Sequence, residues 1–119
     1  MHLTIHERSS GEVTILELEG RLTLGPEADA LHNHIKKLLK ADKSKIVLEL
    51  QKVIRLDSVG LGTMIGAVKS ARSAGGDVRL LRLSKAASDV LDLLGLKLRP
   101  DILRIFGDEQ EALESFRSP

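Results

Sequence analysis

One stretch constrains this chain more than any other. Lys45-Ile46-Val47-Leu48-Glu49-Leu50 is β-branched and densely apolar, and Val53, Ile54 and Leu56 extend it. That composition predicts a central strand buried on both faces. It runs directly into Leu56-Asp57-Ser58-Val59-Gly60-Leu61-Gly62, after which Leu61, Met64, Ile65, Val68 and Ala71 recur at helical spacing. A buried strand feeding a helix is the first half of a crossover unit, which closes on a parallel neighbour. Ser and Asp cap helix starts, so a polar, exposed hydroxyl is expected where this helix begins.

The flanking segments fit the same architecture. Residues 2–8 and 12–19 read as strands joined by the turn-forming Ser9-Ser10-Gly11-Glu12. Gly20 to Gly25 interrupts the pattern. Pro26 then suits a first helical position, with Glu27 and Asp29 near the positive helix end. Ala28, Leu31, Ile35, Leu38 and Leu39 form the apolar stripe of that helix, and Lys36, Lys37 and Lys40 its solvated side. Asp77 to Leu83 reads as a strand. Ser84 is a cap for a third helix, with Ala87, Val90, Leu91 and Leu94 inward and Gly95 at its C-terminal cap. Ile102 to Phe106 is a last short strand. Gly107-Asp108 opens a terminal helix, with Ala112, Leu113 and Phe116 inward and Glu109, Glu111 and Glu114 towards solvent. The expected class is α/β: a single domain over 1–119, a mixed central sheet of about five strands and about four helices, in the order β-β-α-β-α-β-α-β-α. Ser58 then falls at the C-terminal end of a central strand, where open α/β sheets collect their sites. Gly62 and Gly66 lie four apart, and their expected role is close packing of the helix on the sheet.

Composition removes several functions. There are no cysteines, so disulfides, thiolate metal sites and thiol catalysis are excluded. Basic and acidic residues balance to a net charge of +1, unlike the strong basic footprint of a DNA binder. Phe106 and Phe116 are the only aromatics, too few for a nucleic-acid stacking platform. His32 and His34, two apart on a helix, point to different sides and make no metal-ligand face. The chain has neither a stretch long and apolar enough to span a membrane nor the basic, then apolar, start of a signal peptide, and the expected location is the cytoplasm.

Four chemistries can be asked of the Asp57–Ser58 stretch. A nucleophile elbow needs glycine two residues before the serine, and Leu56 stands there. A dinucleotide loop needs a third glycine where Ile65 stands, and the phosphate-loop Lys-Ser/Thr pair is missing. An aspartyl-phosphate switch on Asp57 needs further carboxylates at an earlier strand end to hold a metal, and no matching pair is found. Phosphorylation of Ser58 by another protein asks only for an exposed hydroxyl on a dockable surface. Residue chemistry leaves that last reading open beside the simpler one, in which Ser58 is only a helix cap worth about 1 kcal/mol.

Three segments carry a family resemblance: Leu18-Glu19-Gly20-Arg21-Leu22, the Asp57-Ser58-Val59-Gly60-Leu61-Gly62 motif after its apolar strand, and Val90-Leu91-Asp92-Leu93-Leu94-Gly95-Leu96. Together they resemble the STAS domain family, which includes the anti-sigma factor antagonists and cytoplasmic domains of sulfate transporters. The resemblance runs nearly end to end. It implies a non-enzymatic switch without cofactor, metal or catalytic residue. Ser58 is implied as the phosphorylation site of an anti-sigma factor that is also a serine protein kinase, with a PP2C-type phosphatase reversing the mark. Unphosphorylated antagonist binds the kinase and frees the sigma factor. The implied partner-binding residues are Thr23, Gly25, Asp57, Ser58, Val59, Gly60, Leu61 and Gly62. Val59 replaces the second hydroxyl or small residue often found there, and Thr23 the frequent Asp. Thr63 is a second candidate acceptor. The alternative implied by other relatives is an unphosphorylated scaffold subunit of a stress-signalling or lipid or anion transport complex.

Overall fold

The computed structural model describes residues 2–117, so Met1 and the last two residues of the expected domain lie outside it. Two strands, β1 (Leu3–Ser10) and β2 (Val13–Leu22), form an antiparallel hairpin around Gly11, where φ is +58°. Helix α1 (Pro26–Lys40) leads to β3 (Lys45–Leu56), which lies parallel to β2. Then come α2 (Ser58–Ser73), β4 (Asp77–Leu81), α3 (Lys85–Leu93), a short 3-10 turn (Leu96–Leu98), β5 (Ile105–Phe106) and α4 (Glu109–Ser115). The sheet order is β1-β2-β3-β4-β5, antiparallel only at its first pair, and the element order is the expected one.

The sheet has two unequal sides. On one, Leu31, Ile35 and Leu38 of α1, Leu61, Met64, Val68 and Ala71 of α2, and Ala87 and Leu91 of α3 close over Leu16, Leu18, Ile46, Leu48, Leu50 and Leu80. On the other, α4 alone packs Ala112 and Leu113 on Val13, Ile15, Val47 and Leu81. Val47 and Leu48 are both fully buried on opposite faces, which is why β3 reads as a continuous apolar run.

The buried charge is structural. Asp77 is 5% exposed and accepts from Arg72 Nε of α2 at 2.9 Å and from Arg79 Nε at 3.0 Å. It fixes the end of α2 to the start of β4. On the α4 side, Arg8 pairs with Glu17 and with Glu109, and Arg82 joins Glu49 and Glu109. Glu109 is therefore half-buried in an ion-pair network rather than turned to solvent as its helical position suggested.

Three further expectations fail at element ends. The fourth strand stops at Leu81, because Arg82 takes a left-handed conformation (φ +48°) that sends its side chain to Glu49 and Glu109. Only Ile105 and Phe106 of the run from Ile102 pair with β4. Leu94 is not inward: it follows the last residue of α3 and is 56% exposed.

Candidate functional site

The loop after β3 and the loop after β2 meet because their strands are parallel neighbours and end together, Leu22 opposite Leu56. Asp57 is the hinge of this meeting. Its backbone is extended (φ −110°, ψ −178°), which makes it the N-cap of α2. One carboxylate oxygen, Oδ1, accepts from the Gly60 N–H at 2.8 Å. The other, Oδ2, accepts from the Leu24 N–H at 2.8 Å, across 33 residues of chain. One side chain thus closes the helix start and ties it to the segment that carries Thr23 and Gly25.

The cap is Asp57 and not Ser58, which corrects the simpler expectation for the serine. Ser58 occupies the first helical position, with its side chain exposed. The side-chain hydrogen bonds of this stretch belong to Asp57 and to Thr63, whose hydroxyl donates to the Val59 carbonyl at 3.0 Å. Among the described residues none of them engages the Ser58 hydroxyl. No acidic residue follows in the first turn of α2, so Asp57 is the one carboxylate at that positive end. Partial burial pushes the Asp57 carboxyl up. Backbone N–H bonds from Gly60, Leu24 and Val59 outweigh that and hold it below the usual carboxylate value.

The motif splits into presented and anchoring residues. Ser58, Val59 and Gly62 face outwards, whereas Gly60 and Leu61 are buried. A Cβ on Gly60 would collide with the Leu22 carbonyl oxygen, so this glycine is what lets α2 start against the end of β2. At Gly62 and Gly66 a Cβ would meet nothing within 4 Å. Close packing on the sheet therefore belongs to Gly60, and the expectation for the other two fails.

Leu24 was not singled out from sequence. It is 71% exposed and next to Asp57 through its backbone, while Val59 is 39% exposed. The signal was present: a large apolar residue standing in a turn otherwise made of Thr and Gly. The exposed surface here combines the Ser58 hydroxyl, the Asp57 carboxylate, the Glu27 carboxylate beside Gly25 and exposed aliphatic side chains. Such a surface suits recognition by a protein.

Residues 5–104 match the family model described as Mlab, STAS domain. A crystal structure of a candidate anti-sigma factor antagonist from Thermotoga maritima aligns with 27% identity and a TM-score of 0.78, covering 96% of this chain and 95% of that one. An anti-sigma factor antagonist from Mycobacterium paratuberculosis aligns with 20% identity and a TM-score of 0.82, over 98% and 95%. The anti-sigma factor antagonist SpoIIAA in its unphosphorylated form aligns with 20% identity and a TM-score of 0.71, over 96% of each chain. The phosphorylated form of the Bacillus protein aligns with 18% identity, a TM-score of 0.70, and coverage of 94% and 98%.

Proposed function

The chain belongs to the STAS domain family, and from that membership we propose that it is an anti-sigma factor antagonist switched by phosphorylation of Ser58. The observation that carries the proposal is the division at the α2 start. Ser58 is exposed and free of structural duty among the described residues, while its neighbours Asp57 and Gly60 fix the loop. A hydroxyl held in place by others can be modified without unfolding what holds it.

In this reading an anti-sigma factor with serine kinase activity docks on Leu24, Val59 and the adjoining loops, together with Thr23, Gly25 and Gly62. It binds while Ser58 is unmodified, and the sigma factor is released. Transfer of phosphate from ATP to the Ser58 oxygen forms the phosphoserine and leaves ADP. The new group brings roughly −1.5 to −2 charges beside Asp57 and into the docking contact. A PP2C-type phosphatase hydrolyses the ester and restores binding. The chain itself catalyses nothing in this scheme, which takes place in the cytoplasm.

The test uses the small ATPase-type kinases of the source genome, each purified and measured against the wild-type chain, Ser58→Ala and Ser58→Asp by calorimetry. One kinase is expected to bind wild type and Ser58→Ala alike and Ser58→Asp at least about tenfold more weakly. Incubation with that kinase and ATP should add one phosphate by intact mass to wild type and none to Ser58→Ala. Equal affinity of all three forms, with no added mass, sinks the switch and favours a scaffold in which this loop is only an interface.

A further inference from the structure

The outward-facing glycines of α2 line a groove. His32, Ile35, Lys36 and Leu39 of α1 form one wall, and Gly62, Thr63, Gly66, Ala67 and Ser70 of α2 the other, around a volume of about 360 Å³. Its floor is apolar: Ile35 and Ala67 are buried and Leu39 half-buried. Among the described residues, nothing lies within 4 Å of where a Cβ on Gly62 or Gly66 would stand. Yet glycine inside a helix weakens it relative to alanine, so both positions carry a cost that the chain's own packing does not offset.

Basic residues stand along the rim. Lys36 stands on the groove wall, Lys40 one turn further along α1, and Lys69 beside Ser70 on α2, all exposed. None of them takes part in an ion pair among the described residues, so their charges are available to a partner. The groove is also continuous with the switch surface, since Gly62 belongs to both and lies one helical turn from Ser58.

We propose that this groove seats an acidic amphipathic helix of the same partner that reads Ser58. The inference rests on the proposed switch and adds a second contact to it. An apolar trough lined by glycine admits the backbone of an incoming helix, with its aliphatic side chains over Ile35, Leu39 and Ala67. Carboxylates along the flanks of that helix meet Lys36, Lys40 and Lys69. A row of cations spaced along two helices matches an extended polypeptide better than a compact anion. The far end of this contact, at Gly66 and Ser70, lies about two to three helical turns from Ser58, so it adds to how tightly the partner holds while the serine sets when.

The test takes the kinase shown to bind the wild-type chain and measures Gly66→Leu, Lys36→Glu and Ser58→Asp against it. Gly66→Leu fills the groove from a site with free space, and replacing an interior glycine raises the melting temperature by about 3 °C, so misfolding is visible and separable. The expected result is a loss of affinity of about tenfold or more for Gly66→Leu. For Lys36→Glu the expected loss is about fivefold, with a flatter salt dependence. Wild-type affinity in both variants, with Ser58→Asp weakened, overturns the groove and leaves the switch intact. Undiminished binding by Ser58→Asp with both groove variants weakened overturns the switch and keeps the groove. A wild-type chain that is dimeric, and becomes monomeric on Gly66→Leu, assigns the groove to a second copy and overturns the proposal.

Discussion

Gly60→Ala should destabilise this protein, and Gly62→Ala, two residues along the same helix, should stabilise it. At position 60 the added methyl meets the Leu22 carbonyl oxygen and carbon, with the Leu22 Cγ at 3.0 Å. The carbonyl is backbone at the end of β2 and cannot rotate away. It also accepts from the Asp57 N–H at 3.4 Å, so moving it loosens the contact between the two strand ends. Overpacking of this kind costs about 1–3 kcal/mol, and in a first helical turn the propensity gain of alanine is only partly realised. At position 62 the methyl enters open space in a helix interior, and the gain is up to about 1 kcal/mol. The two variants should therefore differ by about 2–3 kcal/mol with opposite signs. With a urea slope of about 2 kcal/mol/M, that separates their midpoints by about 1 M. Urea denaturation followed by circular dichroism reads this directly. A Gly60→Ala protein as stable as wild type would refute the assignment of Gly60 as the residue that seats α2 on β2.

Other consequences follow from single contacts. Asp57→Ala should cost about 1–2 kcal/mol, since the helix loses its cap and the Leu24 N–H its acceptor. Because the native carboxyl lies below its ordinary value, the advantage of wild type over Asp57→Asn is full above about pH 4 and is lost as pH falls through the depressed native value; urea midpoints across that range check it, and an advantage that grows in acid contradicts it. Arg8→Met should remove no more than about 1 kcal/mol, because the guanidinium is 40% exposed, and the loss should shrink in high salt; equal losses at low and high salt would assign Arg8 a packing role instead. Its hydrogen bond holds the Glu109 carboxyl below the ordinary range, so in Arg8→Met the Glu109 resonance should titrate at higher pH by NMR. Stoichiometric phosphorylation at Ser58 should move the melting temperature by less than about 4 °C, and global unfolding on modification would break the link between the exposed hydroxyl and a binding switch.

How far the sequence could be read depended on whether a residue's neighbours were near it in the chain. Lys45 to Leu56 and the stripe from Leu61 to Ala71 fix their own periodicity, so β3, α2 and the whole element order were legible. Ser84 capping α3 through the Ala87 N–H is likewise a local matter. The failures lie where a partner far in sequence decides. Glu109 has the helical position of a solvated residue, but Arg8, 101 residues away, draws it inwards. Asp57 and Ser58 are both capping types, and only the Leu24 N–H, brought in by the parallel pairing of β2 and β3, shows which of them is engaged on both sides. Gly60, Gly62 and Gly66 look alike as letters. The Leu22 carbonyl, set beside one of them by the fold, makes that one necessary and leaves the others open.

That separation bears on how a signal could be carried. A phosphate at the first position of α2 lies at the positive end of a 16-residue helix, worth about 0.3–1 kcal/mol of attraction at the surface. Asp57 opposes it with a like charge of similar worth in water. The two nearly cancel within the chain, and neither the cap at Gly60 N–H nor the seat at Leu22 depends on the serine hydroxyl. In a docked complex the balance differs. Water is excluded, the exposed Leu24 and Val59 are covered, and two negative groups share one small interface, at a cost of several kcal/mol. On the proposed switch, the same charge is nearly silent in the free protein and decisive in the bound one. A fold that reserved Asp57 and Gly60 for structure, and left Ser58 without a structural bond among the described residues, is suited to a signal expressed in partner affinity rather than in its own shape.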